Sequence, residues 1–174
     1  PLALFCGLLT GTICGVVNGF LVALVRLPPF IVTLGTWFIF EAANFIYSQN
    51  ATIRAQDVEA SAPLLQFLGT TFRIGGAVFP YAVVAVVLLV ALFYYILNHT
   101  AWGRHVYALG DDPDAARLSG ISTRRVLISV YAVAGLICGF AGWALIGRLG
   151  SVSPTSGYEA NIQAITAVVI GGTS

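Results

Sequence analysis

The chain has 174 residues, of which 58% are apolar and 9% charged, whereas soluble domains carry about 25% charged residues; this excludes a soluble globular domain and identifies an integral membrane protein. A formal charge of +1 leaves no basic footprint for nucleic acid. All eight basic residues are arginine, so no lysine can reach the phosphates in a Walker-type loop, and any ATP hydrolysis belongs to another polypeptide.

Residues 2–25 form an uncharged run of about 24 residues, enough to cross a hydrocarbon core of roughly 30 Å. Within it Gly7, Gly11, Gly15 and Gly19 recur at every fourth position, a row of small residues into which a neighbouring helix can settle. Asn18 differs from its surroundings, because an amide in hydrocarbon must find a partner on another helix or on a polar solute. Pro28 and Pro29 end this helix by pushing the preceding residue out of helical geometry and removing backbone donors. The break is either a tight hairpin or a discontinuity at membrane depth, the second being a place where transporters line a solute site.

A second helix is predicted over 29–47, carrying Thr33, Thr36 and Glu41, with Trp37 and Tyr47 as interfacial residues. Residues 48–76 are polar and read as a surface loop with one amphipathic turn. The apolar run 79–97 is a third crossing, 99–125 is a polar connector, and 126–147 is a fourth crossing in which Gly135 and Gly139 repeat the four-residue spacing. After a short link at 148–157, a fifth apolar element starts near Glu159 and is cut short. The expected fold is therefore an all-α polytopic membrane protein with four full transmembrane helices and a truncated fifth. Residues 1–174 belong to a single transmembrane domain within a longer protein, since the chain lacks a starting Met and both its ends fall in apparent membrane segments.

The connector holds the strongest local signal. Asp112 can cap a helix begun by Pro113, Asp114 suits the positive end of its dipole, and Gly120 is a natural terminator. This predicts a short helix of about two turns at the membrane surface, exposing the small side chains of Ala115 and Ala116 and leaving Arg117 to pair with an acidic partner. A solvated connector held near lipid headgroups by arginine is the plainer reading of the same residues. Cys6, Cys14 and Cys138 lie in apolar runs as small hydrophobes, and no Cys/His cluster has metal-ligand spacing. His99 and His105 flank the connector away from any membrane serine, so no hydrolytic dyad is evident.

If each apolar run crosses once, Arg26 and the 99–125 connector share one side with five arginines, against three (Arg54, Arg73, Arg148) on the other. Basic residues favour the cytoplasm, which puts 99–125 inside and 48–76 outside.

Asp114, Ala115, Ala116 and Gly120 spell acidic-Ala-Ala-x-x-x-Gly, which resembles the coupling-loop motif of ABC importer permeases. The stretches 100–104, 107–110 and 117–121 around it, Asn18-Gly19 with 27–35, and 165–174 resemble the ribose-type monosaccharide permeases. Residues 157–163 and 111–113 look like the branch that includes fructose permeases. The resemblance implies a permease subunit of a bacterial inner-membrane sugar importer with no cofactor of its own. It would work with a second permease copy, a separate ABC ATPase docked on the cytoplasmic loop, and a periplasmic sugar-binding protein outside. Under that reading Asp114, Ala115, Ala116, Arg117 and Gly120 couple to the ATPase, which makes 99–125 a coupling loop and 48–76 a periplasmic loop. Asn18, Phe30, Thr33, Thr36, Glu41 and Glu159 are candidates for the monosaccharide path, since a sugar offers hydroxyls and an apolar ring face. The alternative from another class is a stand-alone channel or ion-coupled secondary transporter, which needs ionisable groups deep in the bilayer; Glu41 is the one candidate.

Overall fold

The computed structural model describes residues 1–74 and 77–172. Helix α1 (Leu2–Phe20) continues through one π-helical turn, Leu21–Val25, to Arg26. Arg26 takes a left-handed φ of 60°, and Pro28 then stands in extended geometry ahead of α2 (Pro29–Ser48), with a proline in the first turn where no backbone donor is needed. The chain doubles back at this point. Thr36 Oγ1 lies 2.6 Å from Asn18 Oδ1 although 18 residues separate them, a distance of about 27 Å along a straight helix. Of the two readings of the 26–29 break, the structure adopts the hairpin.

Residues 48–74 of the segment expected as a loop hold regular structure. They contain α3 (Ala55–Ser61), the 3₁₀ turns Pro63–Leu65 and Phe67–Gly69, and β1 (Thr71–Ile74). Strand β1 pairs antiparallel with β2 (Ala77–Pro80), Phe72 opposite Phe79, an exception to the otherwise helical architecture. The third crossing therefore starts later than expected. Phe79 belongs to β2, and the extended Pro80 sets the start of α4 (Tyr81–His99).

The polar connector is likewise two helices rather than one. Thr100 leaves helical geometry, and its hydroxyl accepts from the backbone N–H of Gly103 at 3.2 Å, opening α5 (Ala101–Asp111). Then follow α6 (Pro113–Leu118), α7 (Thr123–Leu149) and α8 (Tyr158–Ile170). Among the described residues four helices are long and apolar enough to cross a membrane: Leu2–Val25, Pro29–Ser48, Tyr81–His99 and Thr123–Leu149.

The centre of the molecule is the seam between α1 and α7. A Cβ added to Gly11 would sit 2.6 Å from the Gly135 carbonyl oxygen, one on Gly15 would strike the Tyr131 carbonyl, and one on Gly19 would lie 2.9 Å from Tyr131 Cβ. On the other helix, Gly135 faces the Gly11 carbonyl and Gly139 faces Leu8 Cα at 3.2 Å. In lipid no hydrophobic drive presses helices together, so close backbone approach is what gains dispersion energy along this seam. Gly7, the first of the row, has open space where its side chain would be. Side chains on α4 such as Leu88, 65% exposed, lie on a helix with no buried residue, as expected for a surface meeting hydrocarbon.

Candidate functional site

Two ends and one polar face concentrate the chemistry. At one end, the Asp112 carboxylate accepts from the backbone N–H groups of Asp114 (2.8 Å) and Ala115 (3.1 Å), fixing the first turn of α6. The helix closes on Gly120, whose φ of +83° suits glycine. Gly120 donates to the Arg117 carbonyl and Ile121 to the Ala116 carbonyl, both at 3.1 Å, the paired bonds of a Schellman stop. Ala116 is buried against the rest of the protein, whereas Ala115 and Arg117 are exposed and Leu118 is 87% exposed. Of the two alanines expected to be exposed, one thus points inward, because Ala116 sits where α6 packs back on the chain. Arg117 and Asp114 approach to 4.0 Å with both side chains largely in solvent, a pair that contributes little to stability.

The short helix is held to the transmembrane part through α5, where Trp102 Nε1 donates to Ser129 Oγ on α7 at 2.8 Å. Arg26, from the α1–α2 turn, lines the same cleft as Arg117, Arg124 and Arg125, so the first hairpin and the connector share one end of the molecule. The opposite end is tied by residues of 48–76 and 148–157. Ile53 and Val152 exchange backbone hydrogen bonds of 2.9 and 3.1 Å, Gln66 Nε2 donates to the Gly150 carbonyl at 3.0 Å, and Trp143 Nε1 donates to the Leu64 carbonyl at 3.0 Å.

Between the ends lies the polar face of α2. Thr36 is buried, and besides meeting Asn18 its hydroxyl lies 2.9 Å from the Val32 carbonyl; Asn18 thus finds its partner on another helix. The Thr33 hydroxyl donates to its own helix, 3.0 Å from the Pro29 carbonyl and 3.2 Å from that of Phe30. Thr33, Phe30 and Trp37 line a cleft of about 410 Å³ together with Leu34 and with Ile165 of α8. Phe30, one of the lining residues, is 68% exposed. Glu41 is partly buried one turn beyond Trp37, and the Glu159 side chain lies outside the described residues. The structure therefore gathers Phe30 and Thr33 at one cleft and Asn18 and Thr36 at the adjoining helix contact. Trp37, expected as an interfacial anchor, joins the cleft, which its position one turn after Thr33 foreshadows.

The model of the family described as branched-chain amino acid transport system / permease component matches residues 1–174. The chain belongs to this permease family. Fructose import permease protein FrcC of Rhizobium meliloti is 64% identical over 173 residues, covering 99% of this chain and 48% of that protein. Ribose import permease protein RbsC of Escherichia coli K12 is 36% identical over 172 residues, covering 99% of this chain and 52% of its own length. Galactose/methyl galactoside import permease protein MglC of Haemophilus influenzae is 32% identical over 164 residues, covering 94% and 48%. The chain spans about half the length of these permeases. No solved structure matches. Family membership accounts for the apolar helices, because these proteins are permease components of transport systems rather than enzymes.

Proposed function

We propose that this chain is part of the membrane subunit of an ATP-driven monosaccharide importer of the fructose class, seated in a bacterial inner membrane. The observation that carries this reading is the 64% identity, over nearly the whole chain, to a fructose import permease. The capped helix α6, rigid at both ends and exposing Ala115, Arg117 and Leu118, is what an ATPase subunit would grip. Closure of that ATPase around nucleotide would push α6, and α5 would pass the movement to α7 through Trp102 and Ser129. Coupling of this kind needs contacts that differ between two states, and a short stiff helix between two spans can make and release them as a unit. A second permease copy would complete the pathway, and a periplasmic sugar-binding protein would dock at the end formed by 48–76 and 148–157.

For the path itself we infer that Asn18, Phe30, Thr33 and Thr36 lie along the sugar's route, with Trp37 beside them and Glu41 and Glu159 nearer the outer end. The cleft offers aromatic faces for the apolar side of a sugar ring and few free polar groups, a combination suited to weak binding and release. Reconstitution of the full-length permease with its ATPase and binding protein in vesicles tests this. Labelled fructose should accumulate only with ATP on the ATPase side. Accumulation by the permease alone under an ion gradient would replace this reading with an ion-coupled transporter.

A further inference from the structure

The end of the molecule that carries α6 has a second feature, a cleft that shares only Asp114 and Arg117 with the residues assigned to ATPase coupling. Arg26, Arg117, Arg124 and Arg125 line one cleft of about 910 Å³ with a single acid, Asp114, among its lining residues. The only ion pair among the described residues is the loose contact of Arg117 with Asp114, so three of these guanidiniums have no anion opposite them. The arginines come from three separate places in the chain, the α1–α2 turn, α6 and the start of α7. They converge although each repels the others and although basic residues at a helix start oppose its dipole; α7 has no acid in its first turn to offset this. The same cleft is also lined by the apolar side chains of Val22, Leu24, Leu127 and Ile128, from two helices long and apolar enough to cross a membrane.

We propose that this cleft is a binding site for a phosphate ester, occupied by the headgroup of an anionic phospholipid whose chains lie against the apolar lining. A planar guanidinium matches two phosphate oxygens at once, and four around one cleft supply both charge and geometry. The apolar lining favours a lipid over a free anion, because a soluble phosphate leaves that surface wet while an acyl chain covers it. The site rests on the membrane-spanning character of the chain and not on the ATPase partner, so it can fail while the transport reading stands.

The test uses full-length permease purified in neutral detergent, with native mass spectrometry of lipid adducts. Phosphatidylglycerol should be retained in preference to phosphatidylcholine. Arg124→Gln combined with Arg125→Gln should lower that preference about thirtyfold, given the usual contribution of each basic residue near an anionic surface. Arg26→Gln, on a different element, should lower it as well, which guards against a local folding defect at α7. Arg54→Gln with Arg73→Gln, at the other end, should leave it unchanged. Equal retention of the two lipids, or an unchanged preference in the Arg124 and Arg125 double variant, overturns the proposal. Displacement of the lipid by millimolar inorganic phosphate assigns the site to a soluble anion instead, and its complete release on assembly with the ATPase subunits assigns the cleft to that protein; either result overturns the lipid assignment.

Discussion

Gly15 is buried between two helix backbones, and a methyl group there would collide with the Tyr131 carbonyl. Overpacking of this kind costs about 1–3 kcal/mol even where neighbours can yield, and backbone yields less than side chain. Gly15→Val in the full-length permease should therefore reduce its melting temperature and its yield of monodisperse protein. Gly7→Val should do neither, because nothing lies within 4 Å of the position its side chain would take. Equal effects in a fluorescence-detected thermal melt would mean that the seam is not held by this row. The spacing of the glycines makes the stripe legible in the sequence, but not where contact along it begins. Nor does it reveal the approach of Gly69 to Gly147, where each Cβ would run into the other's backbone. Neither glycine belongs to a repeat, and their meeting depends on how the 48–76 segment folds across the end of α7.

Helix α6 was readable almost residue by residue, since a cap, a proline, an acid and a glycine fall at fixed offsets and local hydrogen bonds decide the outcome. Its inward-facing Ala116 was not, because burial is set by what packs against the helix. The α5 helix and the β1–β2 hairpin also escaped, although strands around a Gly-Gly pair carry a hairpin signal of their own. Removing the cap by Asp112→Ala should cost α6 about 1 kcal/mol. Gly120→Val forces a β-branched residue into left-handed geometry, so it should distort the stop more severely. In vesicles holding the assembled importer, both variants should transport several-fold less sugar per ATP hydrolysed, Gly120→Val the more so, while the ATPase keeps turning over. An unchanged ratio in both would remove α6 from the coupling path.

Across the whole molecule, five arginines gather at or beside the α5–α6 end and three at the other, the charge bias on which we propose that the former faces the cytoplasm. In a variant of the full-length permease lacking its native cysteines, Glu59→Cys should react with a membrane-impermeant maleimide added outside intact cells, and Ser119→Cys should react only after permeabilisation. The reverse pattern would invert the orientation and detach α6 from any cytoplasmic motor. Four helices long enough to cross and the two sets of ends follow from the apolar runs, which is why the layout is legible in the sequence; which helices touch is not, since a glycine stripe or a polar face marks where a helix can be approached and not by which neighbour. Tight contact along α1 and α7 contrasts with the slight joining of α2, which is connected to α1 by a three-residue turn and by the meeting of Thr36 with Asn18. Two rods locked backbone to backbone can only travel together, whereas a third hung on a short tether can swing. On the path proposed for the sugar, any opening of a passage alongside α2 would then begin with Thr36 exchanging its amide neighbour for the hydroxyl of a passing guest.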